Sequence, residues 1–212
     1  MDEGVTKFTL VHQKHNLYFN IQTKKELVEL NTWRHRMFVK DVIGCDISRY
    51  GACYGNVSIR TDQQIHAKRF RSFLISATQT GNLEHIGEQH YARVYHYDHR
   101  KNKVWSEGPK EPSSESMTHG AIYDLPLDIK VIFHIHSPQL WHDAVKLGIM
   151  ISNPNIAYGT PEMAQEVHRL FQEENLTQKK IFSMGGHEDG IIAFGENTEQ
   201  VAQLLLSYFS VK

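Results

Sequence analysis

The chain has 212 residues, with 23 basic and 24 acidic side chains, and its formal net charge is -1 when the histidines are neutral. This balance excludes a general electrostatic attraction to nucleic acid or to an anionic membrane surface, so any anion-binding site must be local. The length can bury a sizeable core, and no linker, repeat or low-complexity stretch divides it. We therefore predict one domain over residues 1–212.

The amino terminus lacks the charged-then-apolar pattern of a secretory signal, and no apolar run is long enough to span a bilayer. We therefore expect a cytoplasmic protein that does not associate with membranes. The two cysteines, Cys45 and Cys53, are predicted to be free thiols, because nothing else in the sequence suggests a protein built on disulfides.

In the first half of the chain, the sequence predicts a short extended lead-in, one helix and then a series of strands. Residues 8–11 and 16–19 are predicted to be short strands or an extended lead-in. A helix is predicted to begin at Thr23, since Thr23 and Glu26 have the spacing of a capping box and an apolar stripe at helical period follows, consisting of Leu27, Leu30, Met37 and Phe38. The predicted strands are 56–60, 72–76 and 92–97, the last of which turns over 98–102 and returns as 103–105 in a hairpin.

The second half predicts further helices and strands. Thr160 and Pro161 supply an N-cap hydroxyl and a proline at the first helical position, which predicts a helix start there. The other predicted elements are helices over 114–125 and 198–209, a buried strand over 131–137, and a strand pair over 181–184 and 190–194. Helices at both ends and strand pairs in the middle predict an α/β sandwich with a mainly antiparallel sheet.

The most informative feature is the pair His134 and His136, which ends an apolar run. Positions i and i+2 of a strand project from one face, so both imidazoles could bind one metal ion. Upstream, Glu115 follows two serines, and downstream, His187 lies among glycines. Three nitrogen donors and a carboxylate are suited to catalytic zinc. The alternative is a strand whose histidines hydrogen-bond to backbone or solvent, although an unpartnered imidazole at the end of a buried strand is costly.

These motifs, in this order, resemble the class II aldolase/adducin family, zinc enzymes typified by L-fuculose-1-phosphate aldolase and L-ribulose-5-phosphate 4-epimerase. The resemblance covers most of residues 24–209 and rests on Tyr54 to Arg60, Pro112 to Glu115, His119, Tyr123, Phe133 to Ser137, Tyr158 to Thr160, Gly186, His187 and Gly190. It implies a class II aldolase-like domain, a three-layer αβα sandwich and a homotetramer.

The resemblance also implies a site. One Zn²⁺ per chain would be held by His134, His136 and His187, with Glu115 binding the metal in the free site and serving as acid/base during turnover. The phosphate of a sugar phosphate, or another small anion, would bind to the residues that match the family's anion pocket, which are Gly55, Asn56, Thr80, Gly81, Ser113 and Ser114. Ser76 or Thr78 could replace Thr80, because this segment is longer than the commoner family form. Alternatively, these are tight turns between strands.

The predicted function is a zinc-dependent, aldolase-like lyase acting on a small anionic hydroxycarbonyl compound through an enediolate. The connection 137–158 is shorter than in sugar-phosphate aldolases and has no match to their catalytic tyrosine, and Cys53 stands where aldolases often have threonine. Epimerase, decarboxylase and dehydratase chemistry on the same scaffold are therefore alternatives. A metal-dependent hydrolase and a non-catalytic, adducin-like binding module are further alternatives. The presence of all four metal ligands argues against the binding module.

Overall fold

The structure, a computed structural model, describes residues 4–60, 72–126, 128–173 and 175–210. Within these ranges the strands are β1 Thr9–Lys14, β2 Gly44–Asp46, β3 Ala52–Tyr54, β4 Asn56–Arg60, β5 Phe73–Ser76, β6 Tyr91–Asp98, β7 Lys103–Gly108, β8 Val131–His136, β9 Met150–Ile151, β10 Ile181–Ser183 and β11 Gly190–Gly195. The helices of the same ranges are α1 Ile21–Val39, α2 Ile47–Tyr50, α3 Ser116–Tyr123, α4 Pro138–His142, α5 Pro161–Glu173, α6 Leu176–Lys179 and α7 Thr198–Phe209.

Local sequence signals explain most helix starts. Thr160 Oγ1 accepts a hydrogen bond from Met163 N at 3.2 Å, as its predicted N-cap role requires. The predicted start of α1 at Thr23 is wrong, because Asn20 is the N-cap and its side chain accepts from Thr23 N at 2.8 Å. Among the residues that the structure describes, no helix has both the length and the apolar character needed to cross a bilayer.

One large sheet organises the molecule. Its nine strands follow the order β1-β7-β6-β5-β4-β8-β11-β10-β9 within the described ranges. The pairs β1/β7 and β10/β9 at the two edges are parallel, and all pairs between them are antiparallel. The predicted mainly antiparallel sheet and the β6/β7 hairpin are therefore confirmed.

Hydrophobic cores on both faces of the sheet give three layers. Along β8, Val131, Phe133 and Ile135 belong to the core that includes α1 and α7. Ile132, which points to the opposite face, belongs to the core that includes α3, α5 and α6. The predicted αβα sandwich is thus confirmed, and the period-2 alternation of β8 directs its even-numbered residues towards α3 and α5.

The prediction of free thiols is wrong. Strands β2 and β3 pair antiparallel and place Cys45 directly opposite Cys53, with their Cα atoms 3.8 Å apart. The two sulfur atoms form a disulfide. Cysteine counting could not reveal this pairing, because it depends on the register of a short hairpin rather than on composition.

A candidate metal centre

The alternation of β8 positions two of the predicted ligands. His134 and His136 share the face opposite to Phe133 and Ile135, and their ring centroids lie 5.0 Å apart. Both side chains are buried. The predicted common face of this pair is therefore confirmed.

His187 approaches the pair from the turn between β10 and β11. Its backbone N–H donates to Met184 O at 3.0 Å, and its carbonyl accepts from Gly190 N at 2.9 Å. Glycine is required at position 190, because a Cβ atom there would lie 2.6 Å from His187 Cδ2. The turn thus brings the backbone close to the site, and His187 Nε2 lies 3.1 Å from His136 Nε2.

Glu115 completes the group from the start of α3. It is the residue before the first helical turn, and its backbone N–H donates to Ser113 Oγ at 3.2 Å. Its Oε1 lies 3.5 Å from His187 Nε2 and 3.8 Å from His134 Nδ1, and the side chain is 1% exposed. The four residues predicted to bind metal therefore converge in one buried site.

Burial keeps the histidines of this site neutral. Desolvation lowers the pKa of His134 from 6.5 to about 3. It also holds the pKa of His136 and His187 well below 6.5. Repulsion from His134 lowers both pKa values further, and repulsion from His136 lowers that of His187. Neutral imidazoles have lone pairs available for a metal ion at neutral pH.

The donor set fits a zinc ion. One nitrogen from each of the three histidines lies within 4.8 Å of the others. Two nitrogens bound to one tetrahedral zinc lie about 3.3 Å apart, close to the 3.1 Å between the Nε2 atoms of His136 and His187. His134 Nε2 is buried without a hydrogen-bond partner, a state that is costly unless a missing ion or solvent molecule completes it.

Several residues that pack against the candidate metal centre have no site role predicted from the sequence. The rings of Tyr50 and Tyr54 pack on His136 with centroid distances of 5.0 and 5.3 Å. Behind them, the buried Asp189 accepts from Tyr50 Oη at 2.5 Å and pairs with Arg49 Nη2 at 2.6 Å. No sequence motif links Tyr50 to Asp189, because the two residues are 139 positions apart and meet only in the folded chain.

The amino-terminal segment also reaches the site. The ring of Tyr158 lies 4.4 Å from that of His187, and its hydroxyl exchanges hydrogen bonds of 3.1 Å with the backbone N–H and carbonyl of Val5. Lys7 Nζ lies 3.9 Å from the centroid of the Tyr158 ring. Tyr158 therefore holds the start of the chain beside a candidate metal ligand.

A small polar cleft adjoins the histidines. It is lined by Gly4, Cys53, Gly55, Asn56, Ala77, Thr78, Gln79, Thr80, Gly81, Ser113 and Ser114. All six residues predicted to bind an anion belong to this lining. Asn56 connects the cleft to the metal centre, because its Nδ2 lies 3.1 Å from His134 Nδ1.

The structure also separates the hydroxyl candidates of this cleft. Thr78 and Thr80 both line it. Ser76 Oγ instead accepts from Val57 N at 3.1 Å within the sheet. The accessible space is about 20 Å³, enough for about one water molecule. A phosphate therefore requires the lining to move apart.

Tight turns shape this cleft. Gly55 has a φ of 76°, and a Cβ atom there would lie 2.8 Å from Ile43 Cγ1. A Cβ atom at Gly81 would lie 2.3 Å from Gly44 O. Both glycines are required by close backbone approach, whatever ligand the cleft takes.

The protein is thus a three-layer α/β protein with a candidate metal centre, formed by three histidines and a glutamate, at one face of its sheet. The sequence profile of the class II aldolase and adducin N-terminal domain matches residues 50–208. The chain therefore belongs to this family. No curated protein matches the chain significantly.

Several solved structures have a similar fold. YgbL from Klebsiella pneumoniae, described by the alternatives aldolase, epimerase or decarboxylase, is 17% identical with a TM-score of 0.60, covering 90% of this chain and 87% of that chain. YgbL from Escherichia coli is 17% identical with a TM-score of 0.58, covering 88% and 86%. L-fuculose-1-phosphate aldolase from Thermus thermophilus is 16% identical with a TM-score of 0.55, covering 86% and 93%. At these identities the likeness concerns the fold.

Proposed function

We propose that the protein is a zinc-dependent lyase that cleaves a small phosphorylated or otherwise anionic hydroxycarbonyl compound. The observation that carries this proposal is the convergence of His134, His136, His187 and Glu115 beside a small polar cleft lined by glycine, serine and threonine residues. The three histidines would hold one zinc ion per chain. When bound, zinc supplies positive charge that stabilises the oxygens of a developing enediolate.

The chain's own groups account for the remaining steps. Glu115 lies within 3.8 Å of two of the histidines, where its carboxylate can move a proton at the carbon next to the substrate carbonyl. The turn residues Gly55 and Gly81, with the hydroxyls of Thr80 and Ser113, would bind the anionic group. Because Gly4 also lines this cleft, movement of the amino-terminal segment would admit the substrate.

The family and the cleft favour a sugar phosphate as the substrate class. The Thermus enzyme is named for a sugar phosphate, L-fuculose 1-phosphate. A cleft of glycine turns and hydroxyl groups can bind phosphate without a patch of basic side chains, which agrees with the net charge of -1. Epimerisation, decarboxylation and dehydration would use the same four residues, so the reaction subtype depends on the substrate that fits. We further propose that residues 1–212 form one domain and that the protein assembles as a homotetramer, as the family resemblance implies.

Metal analysis combined with substrate screening tests the proposal. Purified protein should hold one tightly bound zinc per chain, and His134→Ala/His136→Ala protein should lose it while Glu115→Gln protein keeps most of it. Zinc-loaded protein should convert a member of a sugar-phosphate panel, followed by product mass. Glu115→Gln should lower the rate by at least about 100-fold, the scale of general acid/base catalysis.

Three outcomes would contradict this proposal. Folded protein without a tightly bound metal would support the adducin-like binding module. If the protein hydrolyses an ester and no solvent deuterium enters the C–H positions of the substrate, the result would support a hydrolase. Equal rates for wild-type protein and Glu115→Gln would remove the glutamate from the reaction.

A further inference from the structure

A second group of metal-binding side chains lies outside the candidate metal centre, where α1 faces the segment 80–86. Nε2 of His35 lies 3.5 Å from Oε1 of Glu84, and Nε2 of His85 lies 3.6 Å from the same oxygen. The two imidazole rings are 4.6 Å apart between centroids. One donor atom from each residue lies within 4.8 Å of the other two. We refer to His35, Glu84 and His85 as the surface cluster.

His35 is the most enclosed member of the surface cluster. Its side chain is 28% exposed, compared with 59% for Glu84 and 77% for His85. Its Nε2 is shielded from solvent and makes a long, 3.5 Å ion-pair contact with Glu84 Oε1 rather than a hydrogen bond. An ion placed between this nitrogen and the carboxylate would satisfy both groups. The two exposed donors leave a path from solvent.

The backbone that carries Glu84 and His85 is fixed against α1 by one side chain. The guanidinium of Arg34, which is 2% exposed, donates to backbone carbonyls of the facing segment. The acceptors are Thr80 at 3.0 Å, Gly81 at 3.3 Å, Leu83 at 2.5 Å and Glu84 at 2.9 Å. Because Arg34 precedes His35 on the helix, these bonds hold the surface cluster in register before any ion binds.

We propose that the surface cluster is a second binding site, for a divalent transition-metal ion such as zinc. Two imidazoles and a carboxylate form a known zinc ligand set. Ligand atoms on one tetrahedral zinc lie about 3.3 Å apart, close to the observed 3.5 and 3.6 Å between each histidine and Glu84 Oε1, and the donor atoms of the two histidines lie within 4.8 Å of each other. The cluster borders a groove of about 560 Å³, which gives water or a small ligand access to the remaining coordination position.

An ion in the surface cluster would join α1 to the wall of the anion cleft. Thr80 and Gly81 line that cleft and are held by the same arginine that orients the surface cluster. The ion is therefore expected to stabilise the cleft. This consequence for substrate binding rests on the proposed function, whereas metal binding by the surface cluster does not.

Zinc titration of the purified, zinc-loaded protein by equilibrium dialysis tests this site. We expect a second zinc equivalent in the wild-type protein that disappears in His85→Gln and in His35→Gln protein. His15→Gln is the matched control, because His15 Nε2 pairs with Glu107 Oε2 at 3.1 Å and, among the described residues, belongs to no group of three or more potential metal ligands. This variant should keep both equivalents. Copper substitution should give an electron paramagnetic resonance spectrum with coupling to two imidazole nitrogens.

The proposal fails if the wild-type protein binds no second zinc, or if the second zinc persists in both His35→Gln and His85→Gln proteins. It also fails if the second zinc binds only when the molecular mass doubles, because the ion then bridges two copies of the chain. His134→Ala/His136→Ala protein separates this test from that of the proposed function. It should lose the first equivalent and keep the one sensitive to His85→Gln.

Discussion

Single residues determine whether the candidate metal centre can bind an ion tightly. Asn56 is one such residue, because its side chain contacts His134 Nδ1 at 3.1 Å while also lining the anion cleft. Partners of this kind orient a metal-binding imidazole and select which ring nitrogen carries the proton. The amide orientation that places Asn56 Oδ1 against Nδ1 accepts the Nδ1 proton, leaves Nε2 free to bind the metal and satisfies an Oδ1 that otherwise has no hydrogen-bond partner. The sequence predicted Asn56 only as an anion ligand. Its contact with His134 arises because β4 and β8 pair with these two residues opposite each other.

Replacement of Asn56 by alanine should weaken zinc binding about 10-fold to 100-fold, the usual effect of removing such a partner. Competition with a chromophoric chelator measures the affinity. Ser76→Ala is the control, since its hydroxyl bonds to Val57 N in the neighbouring strand but does not line the cleft. Equal zinc affinity of Asn56→Ala and Ser76→Ala proteins would exclude an orienting role for Asn56.

Secondary-structure elements deliver the ligands from three directions: β8, the turn between β10 and β11, and the start of α3. The sequence predicted that His134 and His136 share one face of a buried strand, and it showed the glycine-rich character of the turn. Strands β10 and β11 pair antiparallel, with Ser183 opposite Ile191. This pairing places the turn between them, which carries His187, at the metal centre. Sequence predicted both strands but gave no distance between His187 and the histidines of β8.

The turn offers a test at this scale. Gly190→Ala should displace the His187 ring, since the new Cβ would lie 2.6 Å from Cδ2, and overpacking of this kind costs about 1–3 kcal/mol of stability. Zinc content after dialysis should fall. In Gly87→Ala protein the new Cβ meets the far end of the Gln89 side chain at 2.9 Å, which can rotate away, so this control should retain zinc. Full zinc retention by Gly190→Ala protein would show that the turn does not hold His187 in place.

The whole molecule encloses four neutral histidines on one side of its sheet. Besides the three candidate ligands, the buried His119 on α3 has a pKa well below 6.5 because of desolvation. Its Nδ1 lies 2.7 Å from Ser58 Oγ. The fold thus keeps these imidazoles uncharged at a pH where they would accept protons in the unfolded chain.

This difference predicts how stability depends on pH. Below pH 6.5 the unfolded chain binds protons that the folded, metal-free protein does not, so the free energy of unfolding decreases as the pH falls. Each histidine contributes a slope of about 1.4 kcal/mol per pH unit until its folded pKa is reached, which for His134 is about 3. Urea unfolding of metal-free protein should show a steep loss of stability from pH 6.5 to 5 and little change from pH 7 to 8. A constant free energy of unfolding from pH 7 to 5 would contradict neutral burial of these groups.

Some whole-molecule predictions stay predictions. The cytoplasmic location is one of them, and so is the homotetramer, which rests on the family resemblance. The prediction that Cys45 and Cys53 are free thiols was wrong, because the register of the β2/β3 hairpin places them opposite each other in a disulfide.

The sequence by itself determined the local patterns: the shared face of His134 and His136 on a buried strand, the N-cap of α5, and the ordered motifs by which the family was recognised. These depend on residues a few positions apart, whose steric and hydrogen-bonding preferences act within one strand or one turn. Only the tertiary structure decided that His136 and His187, 51 positions apart, meet at 3.1 Å, that Tyr158 holds Val5, and that Thr78 and Thr80 rather than Ser76 reach the cleft. Such contacts follow from the order of strands in the sheet and from the packing of helices on its faces, which no local preference encodes.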